Sequence, residues 1–149
     1  MSSEKIIDSP IDWVKDHIRE YVESNGSQGH IWRGVPTLLL TTTGRKSGEL
    51  RRTALIYGRD GDDYVLVASK GGAPKNPLWY ENLATNPIVT IQVGPEIFEC
   101  RASTYSEDGA DFEHRQNVWD SLVTIWPGFA EYQEKTSRRI PLVRLRKVS

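Results

Sequence analysis

Two glycine-punctuated stretches carry cations where a tight turn could present them to a single anion. The first is Thr41-Thr42-Thr43-Gly44-Arg45-Lys46-Ser47-Gly48, followed by Arg51-Arg52. Its glycines bracket an Arg-Lys-Ser tip, so backbone N–H groups, a hydroxyl and two cations can converge on one oxyanion. No Gly-Lys-Ser/Thr follows four residues after a first glycine, and no G-x-G-x-x-G occurs, so neither nucleotide fingerprint applies. Taken alone, the stretch reads first as a solvated hairpin tip and second as a phosphate cradle. The second stretch, Ala68-Ser69-Lys70-Gly71-Gly72-Ala73-Pro74-Lys75-Asn76-Pro77, adds two lysines at another glycine-rich strand end. The two loops meet only if the strands between them close around; otherwise they are unrelated surface loops.

A third feature is aromatic. Trp126, Phe129 and Tyr132 surround Pro127-Gly128, and Trp79 and Tyr80 stand earlier in the chain. At helical spacing such residues form either core or the wall of a planar-ligand site, and five tryptophans in 149 residues exceed what a small core needs. Tyr132 carries the one tyrosine hydroxyl of the later segment, which makes it the candidate to orient an acceptor carbonyl or relay a proton. His17, His30, His114 and Cys100 fall into no nucleophile–base arrangement and read as structural or exposed. Their spacing converges on no metal, and one cysteine cannot form an internal disulfide.

These residues need elements to hold them. Residues 1–10 read as a loose polar leader, with Pro10 at the first turn of a helix running to about Ser24. In that helix Ile11, Val14, Ile18, Tyr21 and Val22 make an apolar face, so it packs on the domain or covers a site as a lid. Asn25 to Gly29 stop it, which divides the chain into a leader and helix at 1–29 and a main domain at 30–149. From Pro36 the pattern turns to short β-branched and aliphatic runs: Thr37–Thr43, Leu50–Arg59, Tyr64–Lys70, Val89–Val93, Phe98–Ala102 and Ile140–Lys147. Short connections join most neighbours, so the expected fold is α+β with a barrel of six antiparallel strands and flanking helices at 77–84, 107–125 and 129–137.

Nineteen Lys and Arg against twenty Asp and Glu leave a net charge of −1, which gives no global field for nucleic acid or anionic membrane. The cationic patch is local: Arg45, Lys46, Arg51 and Arg52 face only Glu49 between Thr43 and Gly58, while Glu107, Asp108, Asp111 and Glu113 make a later stretch acidic. No apolar run approaches the roughly 20 residues that span a bilayer, and the N-terminus has no signal core, so a cytoplasmic protein is expected. The leading helix could still touch a membrane surface, although acids outnumber bases on its polar face.

Thr-Thr-Thr-Gly-Arg-Lys-Ser-Gly at 41–48, Ala-Ser-Lys-Gly-Gly at 68–72, Lys-Asn-Pro-Leu-Trp-Tyr-Glu-Asn-Leu at 75–83 and Ile-Pro-Leu-Val at 140–143 occur in one order. In that order the chain, over roughly residues 30–147, resembles the deazaflavin-dependent nitroreductase family of actinobacteria. The resemblance implies a split β-barrel that binds coenzyme F-420, an 8-hydroxy-5-deazaflavin with a phosphate and an anionic oligoglutamate tail. It implies that Arg45, Lys46 and Ser47 hold the phosphate and that Arg51 and Lys70 add charge. Ser69 would sit beside the ring, where the reaction occurs, and Gly71, Asn76 and Trp79 would complete the cofactor site. Nitro-reducing members carry tyrosines where this chain has Trp126 and Phe129, so the likeness to them does not extend to those positions.

The implied activity is hydride transfer from the reduced deazaflavin to a quinone or to the activated C=C bond of an enone, coumarin or lactone. The cofactor carries the chemistry, and the protein contributes placement. Two other readings use the same residues: a non-catalytic barrel binding single-stranded nucleic acid through Arg45 to Arg52, and an FMN-binding barrel oxidoreductase. The partner expected is a small electrophilic molecule, with oligomeric state left open.

Overall fold

The computed structural model describes residues 5–107 and 109–148; the first four leader residues, Asp108 of the acidic stretch and Ser149 lie outside the described residues. The elements run β1 (Ile6–Asp8), α1 (Asp12–Glu23), β2 (Ile31–Trp32), β3 (Val35–Thr43), β4 (Leu50–Asp60), β5 (Asp63–Val67), α2 (Leu78–Thr85), β6 (Ile88–Val93), β7 (Glu96–Thr104), α3 (Phe112–Ile125), α4 (Gly128–Glu134) and β8 (Leu142–Lys147). Strands β3, β4, β5, β8, β7 and β6 pair antiparallel in that order, and β6 pairs back with β3, so six strands close a barrel. The α+β split-barrel expectation holds. Closure leaves no edge within the six.

Period-two alternation explains the layers. Leu38 and Leu40 of β3 point inward and join Leu66, Val89, Ile91, Cys100, Val143 and Leu145 in the barrel core. Leu39 between them points outward and is 1% exposed, because Val14, Ile18 and Tyr21 of α1 cover it. Burial of these side chains contributes about 1.5–3 kcal/mol each. On another outer face Val118 and Leu122 of α3 and Phe129 of α4 cover Val65, Val67 and Leu142. Among the described residues no helix is long and apolar enough to cross a membrane.

The Tyr21 hydroxyl fastens α1 to the barrel: it donates to the carbonyls of Thr37 (3.0 Å) and Gln92 (3.2 Å) and accepts from Gly94 N–H (2.8 Å). Burial pushes its pKa up to about 12. Just beyond the helix, Gly26 has φ +83°, and a Cβ there would lie 2.3 Å from the backbone of Gly94. Only glycine fits that crossing.

Three expectations need correction. The leader is not loose throughout: Ile6–Asp8 pairs parallel with Leu50–Arg52, and the Asp8 carboxylate takes a forked contact from Arg52 at 2.6 and 3.2 Å. The helix starts at Asp12, beyond Pro10, with Ile11 extended at its N-cap. The third barrel strand stops at Val67, because Lys70, Gly71 and Gly72 have φ of +47°, +62° and +85° and turn the chain away. Strand β2, two residues paired with Val35 and Pro36, is an addition the periodicity did not signal.

Candidate active site

Hairpin geometry sets the frame. Strand β3 ends at Thr43 and β4 starts opposite it at Leu50, while β5 runs antiparallel to β4 and ends one residue past the Tyr57–Leu66 pair, heading toward the end of the barrel that carries the 44–49 turn. The chain leaves β5 through residues 68–77 and enters α2. A cavity of about 300 Å³ opens beside this crossing, on the outer face of the sheet between α1 and α4. Its floor is Thr37, Ala54, Ile56 and Val67; its walls are Ser69, Lys70, Gly71 and Trp79 on one side and Trp126, Phe129 and Tyr132 on the other.

The structure thus brings Ser69, Lys70, Gly71, Trp79 and Tyr132 into one cavity wall. Ser69 is buried, and its hydroxyl has no protein partner among the described residues. The backbone N–H groups of Ser69, Lys70 and Gly71 also find no protein acceptor there; the turn's own bonds run from Gly72 to Ser69 O (2.9 Å) and from Ala73 to Lys70 O (3.1 Å). Holding a lysine in the left-handed region costs about 1–3 kcal/mol, which points to a loop shaped for a task. Gly72 is required for a second reason: a Cβ would stand 2.6 Å from Tyr132 O, so this glycine lets α4 close on the loop. The Tyr132 ring meets Phe129 edge-on at 6.2 Å, and the Trp126 Nε1–H points to its hydroxyl across a long 3.5 Å. That hydroxyl is available to a ligand.

The cationic hairpin tip does not line the cavity, but α2 links the two. Asn82 accepts from Arg45 N–H (3.1 Å) through Oδ1 and donates to Thr42 Oγ1 (3.2 Å) through Nδ2, and Glu81 pairs with the Arg45 guanidinium at 3.3 Å. Trp79, one turn earlier on the same helix, is in the cavity wall. Lys46 and Ser47 are exposed at the tip, and Ser47 Oγ accepts from Glu49 N–H at 3.1 Å. Arg51 is not brought to the cavity: it alternates to the face opposite Ala54 and Ile56 and pairs with Glu49 at 3.0 Å. Asn76 lies behind the loop, its Oδ1 taken by Arg138 Nη1 at 2.8 Å.

Several wall residues escaped the sequence reading. Trp13 and His17 of α1 and Trp32 of β2 roof the cavity. Trp13 stacks on Trp32 (5.6 Å between centroids, 18° between planes), and Trp32 meets Trp126 at 5.7 Å. His17, bonded through Nε2 to Gly29 O at 2.7 Å, backs Trp32. The periodicity of α1 marked its buried face but not the exposed Trp13, and β2 was too short to register. Arg138 behind the loop was also missed, although it stands two residues before the Ile140-Pro-Leu-Val motif, whose Pro141 O accepts from Ala68 N–H at 3.0 Å.

A barrel, a cavity with unpaired donors and a nearby cationic tip invite comparison with known proteins. Residues 13–147 match the family model described as F420H(2)-dependent quinone reductase. The chain belongs to that family. An F420H(2)-dependent quinone reductase of Mycobacterium tuberculosis is 42% identical over 137 residues, covering 91% of this chain and 90% of the relative. A solved F420-H2-dependent reductase is 39% identical with a TM-score of 0.66, over 78% of this chain and 98% of its own. Another solved chain, described as a domain-swapped dimer, is 37% identical with a TM-score of 0.68, over 93% of this chain and 100% of its own. This member of the quinone reductase family is therefore an oxidoreductase that uses coenzyme F-420. The match begins at Trp13 and so takes in α1, which the motif resemblance from residue 30 left out.

The residues present suit such a coenzyme. A cavity of about 300 Å³ is at the small end for ligand sites, with room for a planar ring system but not for a ring and a charged tail. Its unpaired donors match an electronegative ring edge, Lys70 adds one cation to the wall, and the tip beside α2 holds further cations outside. The cavity wall carries aromatics but none of the tip's cations, unlike the interleaving that single-stranded nucleic acid uses.

Proposed function

We propose that the enzyme seats the ring of reduced coenzyme F-420 between residues 69–71 and Tyr132 and carries its phosphate and acidic tail along the Arg45–Ser47 tip. The observation behind this reading is the pairing of one donor-lined cavity with one cationic hairpin on the same short helix, α2. When bound, the reduced deazaflavin supplies a hydride. Ser69 and the free amides then orient the ring, Lys70 balances negative charge, and Trp79, Trp126 and Phe129 exclude water and offer flat faces. The Tyr132 hydroxyl holds the acceptor oxygen and passes it a proton. The acceptor class is a quinone first, because the related reductases bear that name, and an enone, coumarin or lactone second. Among these contacts, charge-assisted hydrogen bonds contribute about 1.5–3 kcal/mol each before the entropy of binding is subtracted. A second copy of the chain is a candidate partner on the example of the domain-swapped relative, and light scattering decides it.

Equilibrium titration with coenzyme F-420, FMN and NADPH tests the reading. The deazaflavin should bind most tightly, and its affinity should fall as salt screens the exposed tip. Equal or tighter FMN binding would return the site to a flavin oxidoreductase, and a salt-independent Kd would remove the tip from the cofactor site.

A further inference from the structure

Arg138, on the turn between α4 and β8, reaches behind the cofactor loop and spans it from end to end. Its Nη1 donates to Ala68 O (3.2 Å) and Asn76 Oδ1 (2.8 Å), its Nη2 to Ser69 O (2.7 Å) and its Nε to Ala73 O (2.8 Å). The turn that carries it is itself fixed. Gln133 of α4 donates to Arg138 O (2.8 Å) and accepts from Ile140 N–H (3.0 Å). Among the described residues no carboxylate pairs with Arg138, so its charge meets only neutral oxygens.

Two of those oxygens have a particular connection to the cavity. The carbonyl of Ala68 shares a peptide unit with Ser69 N–H, and the carbonyl of Ser69 shares one with Lys70 N–H. Amide resonance couples the two ends of each unit, so a cation on the oxygen makes the N–H a stronger donor. Ser69 and Lys70 are cavity-wall residues whose N–H groups lack a protein acceptor. A guanidinium can do this at several oxygens at once because its donors form a fixed planar fork, which an ammonium lacks.

We infer that Arg138 is a positioning residue for the coenzyme: its guanidinium holds the 68–76 loop and polarises the Ser69 and Lys70 amides toward the ring that the cavity takes. This rests on the proposed seating of the ring against residues 69–71.

The test uses the full chain, with Arg138→Lys and Arg138→Met as variants. Fluorescence titration with oxidised coenzyme F-420 should show Kd raised at least tenfold in both. KM for the coenzyme should rise in step while kcat at saturation falls less than threefold, since a placed ring is held alike in ground and transition states. In the coenzyme-free variants, amides 68–73 should exchange hydrogen faster, and in a third variant, Arg138→Ala, which leaves room for the small cation, millimolar guanidinium should restore part of the binding. A folded Arg138→Lys and Arg138→Met that both bind within twofold of wild type overturn the inference. One measurement on the unaltered chain guards against variants that fail to fold: bound coenzyme should protect the Ser69 and Lys70 amides from exchange, and binding without protection there overturns the inference together with the seating it rests on. Failure of the wild-type chain to bind the coenzyme would instead overturn the seating itself.

Discussion

Tyr132 and Lys46 differ in what they can contribute, and the difference is measurable. The Tyr132 hydroxyl faces only a long contact from Trp126, and Tyr132→Phe keeps nearly all of the apolar area. If that hydroxyl steadies charge growing on the acceptor oxygen, its loss lowers kcat by about two to three powers of ten. We expect that fall with a quinone and with an enone, at saturating reduced coenzyme; wild-type kcat with both removes Tyr132 from the reacting centre. Lys46, exposed at the tip, would hold a phosphate far from that centre, equally in ground and transition states. Lys46→Ala should raise the coenzyme's KM by roughly three- to tenfold with little change in kcat, a modest effect because water screens the site. Arg45→Ala should act in the same direction and also free Glu81. A loss confined to kcat would move both cations to the reacting atoms.

Helix α1 is an element whose position depends on one buried hydroxyl. Tyr21→Phe leaves Gly94 N–H without its acceptor and removes the one O–H that the carbonyls of Thr37 and Gln92 share. A buried group left unpaired costs about 1–3 kcal/mol. For a chain of this size that lowers Tm by roughly 2–4 °C per kcal/mol, so a melt should shift by several degrees. An unchanged Tm would mean that apolar contact alone seats the helix. The same variant should weaken coenzyme binding, because α1 carries Trp13 and His17 into the cavity roof.

At the scale of the whole molecule, Asp60 ties three elements together at the far end of the barrel. Its carboxylate accepts from Tyr105 (2.7 Å), His114 (2.7 Å) and Arg144 (3.2 Å), linking the end of β4 to the segment after β7, to α3 and to β8. Burial alone would push its pKa up, but these bonds outweigh it and hold the carboxyl below the usual range. A carboxyl that binds protons less readily in the folded than in the unfolded chain stabilises the fold above its ordinary pKa of about 3.9, and this is lost as pH falls. Asp60→Asn should therefore lower Tm at pH 7 and flatten the decline of Tm in acid below about pH 4. Parallel acid profiles for the two proteins would show that Asp60 is not a main source of acid sensitivity.

The six barrel strands were legible because each is a short β-branched or aliphatic run set off by turn residues, alternating with polar residues in β6 and β7, a local pattern that needs no knowledge of partners. The coenzyme class was legible from four motifs in order. Strands β1 and β2 were not, since two or three residues carry no period and pair only with strands that folding brings to them. The same cause hid the roof of the site. Ser69, Lys70, Gly71, Trp79 and Tyr132 stood out by type, but that they share a wall with Trp13, His17 and Trp32 follows from barrel closure and from the seat of α1. Arg51 and Arg52 look alike in sequence; pairing in the sheet turned one toward Glu49 at the rim and the other toward Asp8. Sequence alone determined which elements form and which ligand chemistry the loops could serve, because propensity, alternation and charge act between near neighbours. Which loops meet, and that Arg138 stands behind residue 69, only the tertiary structure decided, because a hydrogen bond across 69 positions of chain exists only once the strands between have closed.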